Sequence, residues 1–284
     1  MTTLVGVLGA GVMGSGVAHN LAQYGFPTLV IDVDTDQLRR CAAAIRRNLR
    51  LYNFHEAHKK AREPIDAVLG RIEFSTDLQR VAVADIVIEN VTEDWFVKKE
   101  VYSQLTRICT PSTVFGINTS AIPISRIAAL VEHPENVLGA HFMNPAPLKP
   151  MVEVIRGERT CGEALERFGA LLTSLDKRFV VVNDSPGFVT NRAMMLFVNE
   201  AISILQEGVA QPEEIDTLFR ECFGHKMGPL QTTDLIGLDT VLRSLEVLHE
   251  RLGDPKFIPA QRLREMVNAG LLGMKSGHGF YPYE

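Results

Sequence analysis

A histidine and a glutamate stand twelve residues apart in the stretch GAHFMNPAPLKPMVEVIRG, which runs from Gly139 to Gly157. His141 closes one apolar run, and Glu153 interrupts the next, between Val152 and Val154. Pro145, Pro147 and Pro150 stiffen the connection between the runs. If the two runs pair as antiparallel strands, this spacing brings the side chains together. A carboxylate that holds an imidazole fixes its tautomer and raises its basicity. Such a pair can take the proton of an alcohol while hydride leaves the carbinol carbon. Each residue alone also has a plainer reading. His141 fits a satisfied polar group at a strand end, and Glu153 fits the solvent face of a one-sided strand.

Two further segments carry polar groups suited to the same chemistry. Asn118, Thr119 and Ser120 follow the apolar run TVFGIN, and Asn191 follows SPGF near the start of a helical pattern. Their amides and hydroxyls suit orientation of a substrate hydroxyl and a thioester carbonyl. Capping and turn chemistry accounts for them equally well.

The oxidant is read from the first residues. LVGVLGAGVMGSG spans residues 4–16 and sets an apolar run before Gly9-Ala10-Gly11-Val12-Met13-Gly14, with a helical pattern after it. This is G-x-G-x-x-G between strand and helix. Gly9 allows the tight turn, Gly11 lets backbone approach a pyrophosphate, and Gly14 lets helix and strand pack closely. TLVID then ends in Asp32, placed to accept from ribose hydroxyls. Val33 and Asp34 follow with no arginine beside them, so a 2′-phosphate is repelled and NAD is expected over NADP.

These residues need a scaffold, and the chain length supplies one. The protein has 284 residues, 46% of them hydrophobic, enough for one large or two ordinary domains. Short β-branched runs alternate with helical patterns as far as RFVVV, which implies βαβ units. The expected fold is α/β: a Rossmann-type, doubly wound, mostly parallel sheet with a C-terminal all-α domain. The NAD-binding domain is expected over residues 1–183, and a helical substrate and dimerisation domain over 184–284. A polar insert between Asp34 and Thr76, centred on about 35–70, reads as two helices. The net charge of -5 argues against nucleic-acid or anionic-membrane binding. Four separated cysteines without a CxxC pair argue against a metal site or a disulfide framework. With neither a basic leader nor a long apolar span, a cytoplasmic location is expected.

The motifs GAGVMGSG, IENVTEDWFVKKEV, NTSAIPIS, GAHFMNPAPLKPMVEVIRG, DSPGFVTNR, MGPLQTTDLIGLDT and KSGHGFYPY cover nearly the whole chain. Together they resemble the 3-hydroxyacyl-CoA dehydrogenases, in particular those acting on 3-hydroxybutyryl-CoA in bacteria. The resemblance implies fatty-acid-type chemistry on an acyl thioester. It makes His141 the catalytic base, Glu153 its partner, and Ser120 and Asn191 the holders of the substrate oxygen. It implies NAD contacts from Glu93, Lys98, Ser120, Asn144 and Lys275, and a homodimer made through the C-terminal helices. The pattern departs from the family at Met143, at Lys149-Pro150 and in the helical stretch Asn48 to Lys60. There Asn48 and His55 stand where the family meets the 3′-phosphate of coenzyme A. A neutral histidine is a poor phosphate partner, so an acyl-carrier-protein thioester is the alternative handle. A non-catalytic NAD-binding relative and a free hydroxy-acid dehydrogenase are the readings of other classes.

Overall fold

Runs of four to six mostly apolar residues become eight strands of one sheet among the described residues: β1 (Val5–Leu8), β2 (Thr28–Ile31), β3 (Ile72–Ser75), β4 (Ile86–Glu89), β5 (Val114–Ile117), β6 (Val137–Phe142), β7 (Met151–Arg156) and β8 (Arg178–Asn183). The computed structural model describes residues 3–52, 63–120 and 122–283. The strand order is β3-β2-β1-β4-β5-β6-β7-β8. Every neighbouring pair is parallel except β6 with β7. Strands β1, β2, β4, β5 and β6 are buried along their whole length. Such continuous apolar runs need both faces covered, which is what crossover helices provide.

Those helices are α1 (Val12–Gln23), α2 (Thr35–Tyr52), α3 (Ile65–Leu69), α4 (Trp95–Ile108), α5 (Ile124–Ala128) and α6 (Gly162–Ser174). Leu38, Cys41, Ile45 and Leu49 recur at helical intervals along α2 and share a core with Val17 and Leu21 of α1. The insert expected between Asp34 and Thr76 holds α2 and α3 but also contains β3. Its sequence, IEFS, is four residues long and buries only Ile72 fully. So short and half-polar an edge strand leaves little periodic signal.

The chain divides into two compact units, Met1–Ser185 and Pro186–Glu284. The second holds α7 (Thr190–Gln206), α8 (Pro212–Phe223), α9 (Pro229–Ile236), α10 (Leu238–Leu252) and α11 (Gln261–Asn268). Val198, Ile202, Leu230, Val241, Leu245 and Leu263 form its core. Pro212 opens α8, where a missing N–H costs nothing, and Gly253 stops α10 at φ +66°.

The single antiparallel pair is tightly fitted. Gly139 lies opposite Ile155, and a Cβ there would sit 2.7 Å from the Ile155 Cβ and 2.9 Å from Ile124 Cδ1. Gly139→Ala is expected to lower the unfolding free energy by roughly 1–3 kcal/mol through overpacking. Urea unfolding measures this, and wild-type stability in the variant would refute the close fit.

Candidate active site

The dinucleotide turn is built by close backbone approach. Gly9 has φ +86°, and a Cβ on it would lie 2.5 Å from the carbonyl oxygen of Asn90, just past β4. A Cβ on Gly14 would meet the Gly9 carbonyl oxygen at 1.8 Å. At Gly11 a Cβ would meet nothing within 4 Å, so backbone there faces open space. The first turn of α1 has neither a side-chain cap nor an acidic residue, which leaves its N–H groups and positive end available to a pyrophosphate. Asp32 follows β2 and accepts from the backbone N–H groups of Ala10 (2.7 Å) and Asp34 (3.0 Å). Its carboxylate is therefore held beside the turn. Arg40 is paired with Asp34 at 3.0 Å. This open, glycine-lined helix terminus next to a fixed carboxylate fits NAD.

The catalytic candidates meet on the same sheet. In the antiparallel register His141 stands directly opposite Glu153, and His141 Nδ1 lies 3.0 Å from Glu153 Oε2. Both residues are buried. On the other side of the ring, His141 Nε2 lies 3.0 Å from Ser120 Oγ, in the loop after β5. With Nδ1 facing a carboxylate, the ring carries its proton there and presents Nε2 as acceptor. Asn144 lies just beyond β6, at the start of the proline-rich connection.

A second set of charges stands behind Ser120. Glu93 Oε1 accepts from Thr119 Oγ1 (2.5 Å) and from the Ser120 backbone N–H (3.1 Å). Asp94 caps α4 by accepting from Phe96 and Val97, which fixes the helix entry next to Glu93. Lys98, on the next turn of α4, donates at 2.8 Å to both oxygens of Glu89 and lies 3.7 Å from Glu93 Oε2. The Lys98 and Glu89 side chains are both fully buried. Burial pushes the Glu89 carboxyl upward, and the Lys98 ammonium pulls it back. Glu89 ends β4 and was not singled out in the sequence, where it reads as the last residue of an apolar run. Its only local signal is an acidic residue nine positions before a lysine.

Ser120, His141 and Glu153 are thus directly hydrogen-bonded, and Glu93 and Lys98 join them through Ser120. Gly9, Ala10, Gly11, Val12, Met13, Gly14 and Asp32 gather at the head of α1. Asn118 is engaged as a brace: it donates to Asn90 Oδ1 at 2.7 Å and accepts from the Phe142 N–H at 3.2 Å. Asn191 lies in the first turn of α7, and Lys275, in the second unit as well, pairs with Asp239 of α10. Asn48 is half-buried on α2, and His55 lies outside the described residues. Among the described residues no group of histidines, cysteines and carboxylates is arranged to hold a metal ion.

Residues 4–185 match the family model described as 3-hydroxyacyl-CoA dehydrogenase, NAD binding domain, and residues 187–283 match the corresponding C-terminal domain. The chain is 46% identical over 278 residues to a probable 3-hydroxybutyryl-CoA dehydrogenase of Deinococcus radiodurans, covering 98% of this chain and 99% of that protein. A protein of the same description from Bacillus subtilis is 45% identical, with 98% and 96% covered. Among solved structures, (S)-3-hydroxybutyryl-CoA dehydrogenase PaaH1 from Ralstonia eutropha has a TM-score of 0.91 at 37% identity, with 100% of both chains covered.

The buried Glu89–Lys98 pair makes a stability prediction. Glu89→Gln leaves the Lys98 ammonium buried beside a neutral amide, and the unfolding free energy should fall by about 3 kcal/mol. Urea titration reads the change. An unaltered midpoint would mean that Glu93 alone balances Lys98.

Proposed function

The chain belongs to the 3-hydroxyacyl-CoA dehydrogenase family, and we propose that it interconverts a short 3-hydroxyacyl-CoA thioester and its 3-oxoacyl form at the His141–Glu153 pair. The observation that carries this reading is the hydrogen-bonded series Ser120–His141–Glu153 on the sheet that also bears the dinucleotide turn. When bound, NAD supplies the ring that accepts or returns hydride at the carbinol carbon.

In the oxidative direction His141 Nε2 takes the proton of the substrate hydroxyl, and in the reductive direction it gives that proton back. Glu153 accepts from Nδ1–H throughout. It holds the ring in the tautomer whose Nε2 is an acceptor, and it stabilises the imidazolium once formed. Ser120 and Asn191 hold the substrate oxygen. Glu93, Ser120, Asn144 and Lys275 serve the cofactor together with Gly9 to Gly14 and Asp32, and Lys98, whose side chain is fully buried, serves it through Glu93. Burial of the His–Glu pair removes competing water and strengthens each of these interactions.

Relatives named for coenzyme A thioesters support coenzyme A as the handle. The carrier-protein alternative has no comparable support, and the assembled acid–base pair speaks against a non-catalytic relative. A homodimer through the Pro186–Glu284 unit is part of the proposal. Its support is exposed apolar surface on that unit, where Phe223 is 70% and Leu218 57% exposed. A cytoplasmic location is also proposed, on the strength of four free cysteines. Among the described residues no helix is long and apolar enough to cross a membrane.

Steady-state oxidation of NADH with acetoacetyl-CoA tests the reading. His141→Ala should lower kcat by about 10²–10⁴ with NADH affinity nearly unchanged. Glu153→Gln should also lower kcat, because its amide nitrogen can donate to Nδ1 and favour the wrong tautomer. Wild-type turnover in H141A would remove His141 from the mechanism.

A further inference from the structure

Lys177 is a buried ammonium outside the proposed catalytic and cofactor-binding residues. It immediately precedes β8 and is 6% exposed. Its Nζ donates to the carbonyl oxygens of Ala146 (2.7 Å), Pro147 (3.3 Å) and Lys149 (2.8 Å). An ammonium has three N–H donors, and here three acceptors surround it. Among the described residues no carboxylate lies within ion-pair distance of it. Burial pushes it down to about 8, against the opposing pull of Asp176. A methionine of similar length would avoid that desolvation cost, so the charge has a local use.

The use is visible in what the three carbonyls belong to. All lie in the connection from β6 to β7, the segment that carries the chain from His141 to Glu153. Three prolines there lack N–H groups, so the segment is poor in donors of its own. The carbonyl oxygen of Pro150 is met by the backbone N–H of Arg178 at 2.8 Å, so residues 177 and 178 together cap the inner side of the connection. Its other side rests on α1, the helix that opens at the dinucleotide turn. A Cβ on Gly16 would lie 3.2 Å from Ala146 Cβ and 3.4 Å from Pro147 Cδ. Lys149-Pro150, where the sequence departs from the family pattern, therefore contributes backbone carbonyls to this seat.

We propose that Lys177 is a positioning residue for the reaction: its ammonium seats the 143–150 connection against α1 and so sets the His141–Glu153 pair relative to the cofactor helix. The proposal rests on the acid–base role given to His141 above. A side chain that acts only through placement of the reacting groups changes kcat more than binding, and a displacement of about 1 Å costs about 10²-fold.

The test uses the full-length enzyme with NADH and acetoacetyl-CoA. Lys177→Met should lower kcat roughly 10–100-fold, with KM for the thioester changed less than about threefold. Lys177→Arg, which keeps the charge and donors, should lose less than Lys177→Met. On a His141→Ala background, Lys177→Met should cost no more than about a further twofold, because the base it positions is gone. If K177M does not fold, Lys177→Gln, with two N–H groups and no charge, is compared in the same way. Wild-type kcat in the folded variant, or an equal loss with and without His141, would overturn the proposal. Wild-type turnover in H141A would overturn the role of His141 itself and the positioning proposal with it, whereas the two preceding outcomes overturn the proposal and leave the role of His141 intact.

Discussion

The hydrogen bond between His141 and Glu153 exists because the sheet reverses direction once. Every other strand pair is parallel, and residues brought opposite each other in parallel strands come from distant parts of the chain. Between β6 and β7 the chain turns back after eight residues, so a strand-end histidine and a mid-strand glutamate face each other at 3.0 Å. A slip of one residue would send both side chains to opposite faces. The absence of a side chain at Gly139, the proline-stiffened connection and the ammonium of Lys177 all act on this one register. The reversal also ends the parallel half of the sheet next to the site, where β5 contributes Ser120 from its carboxyl end.

Buried charge also stands next to Ser120. Glu89 and Lys98 neutralise each other beneath the loop that carries Ser120, and Glu93 connects them to it. A buried ion pair adds little net stability compared with an apolar pair, because desolvation offsets the attraction. Its effect is directional: carboxylate and ammonium fix where Glu93 stands, and Glu93 fixes Thr119 and the backbone of Ser120. Lys177 follows the same logic with carbonyl dipoles in place of a carboxylate.

The second unit uses buried carboxylates for a different end. Asp234 accepts from the backbone of Phe280 and Tyr281 and from the Tyr283 hydroxyl, and Asp216 accepts from the Tyr281 hydroxyl and from the start of α9. Burial and the neighbouring carboxylates push both phenols upward, so they remain donors. These bonds tie the C-terminal segment to α8 and α9. The same segment carries Lys275, whose ammonium is held by Asp239.

Much of this was legible in the residues themselves. The glycine turn, Asp32 and the alternation of strand and helix are local patterns, in which neighbours in sequence are neighbours in space. His141 and Glu153 could be paired for a related reason, since an antiparallel turn preserves a short separation. At Asn118 the sequence left two readings open, because a polar residue after a strand suits a substrate contact and a structural brace alike; its hydrogen bonds to Asn90 and Phe142 are those of a brace. The strand β3 escaped because four half-polar residues carry almost no period. Glu89 escaped because its role depends on burial, and Lys177 because its partners lie 28 to 31 residues away. Sequence alone determined the fold class, the dinucleotide turn and the pairing of His141 with Glu153, because each rests on short-range spacing. Only the tertiary structure decided which charges are buried and what they hold, because desolvation and hydrogen-bond geometry arise when distant segments pack.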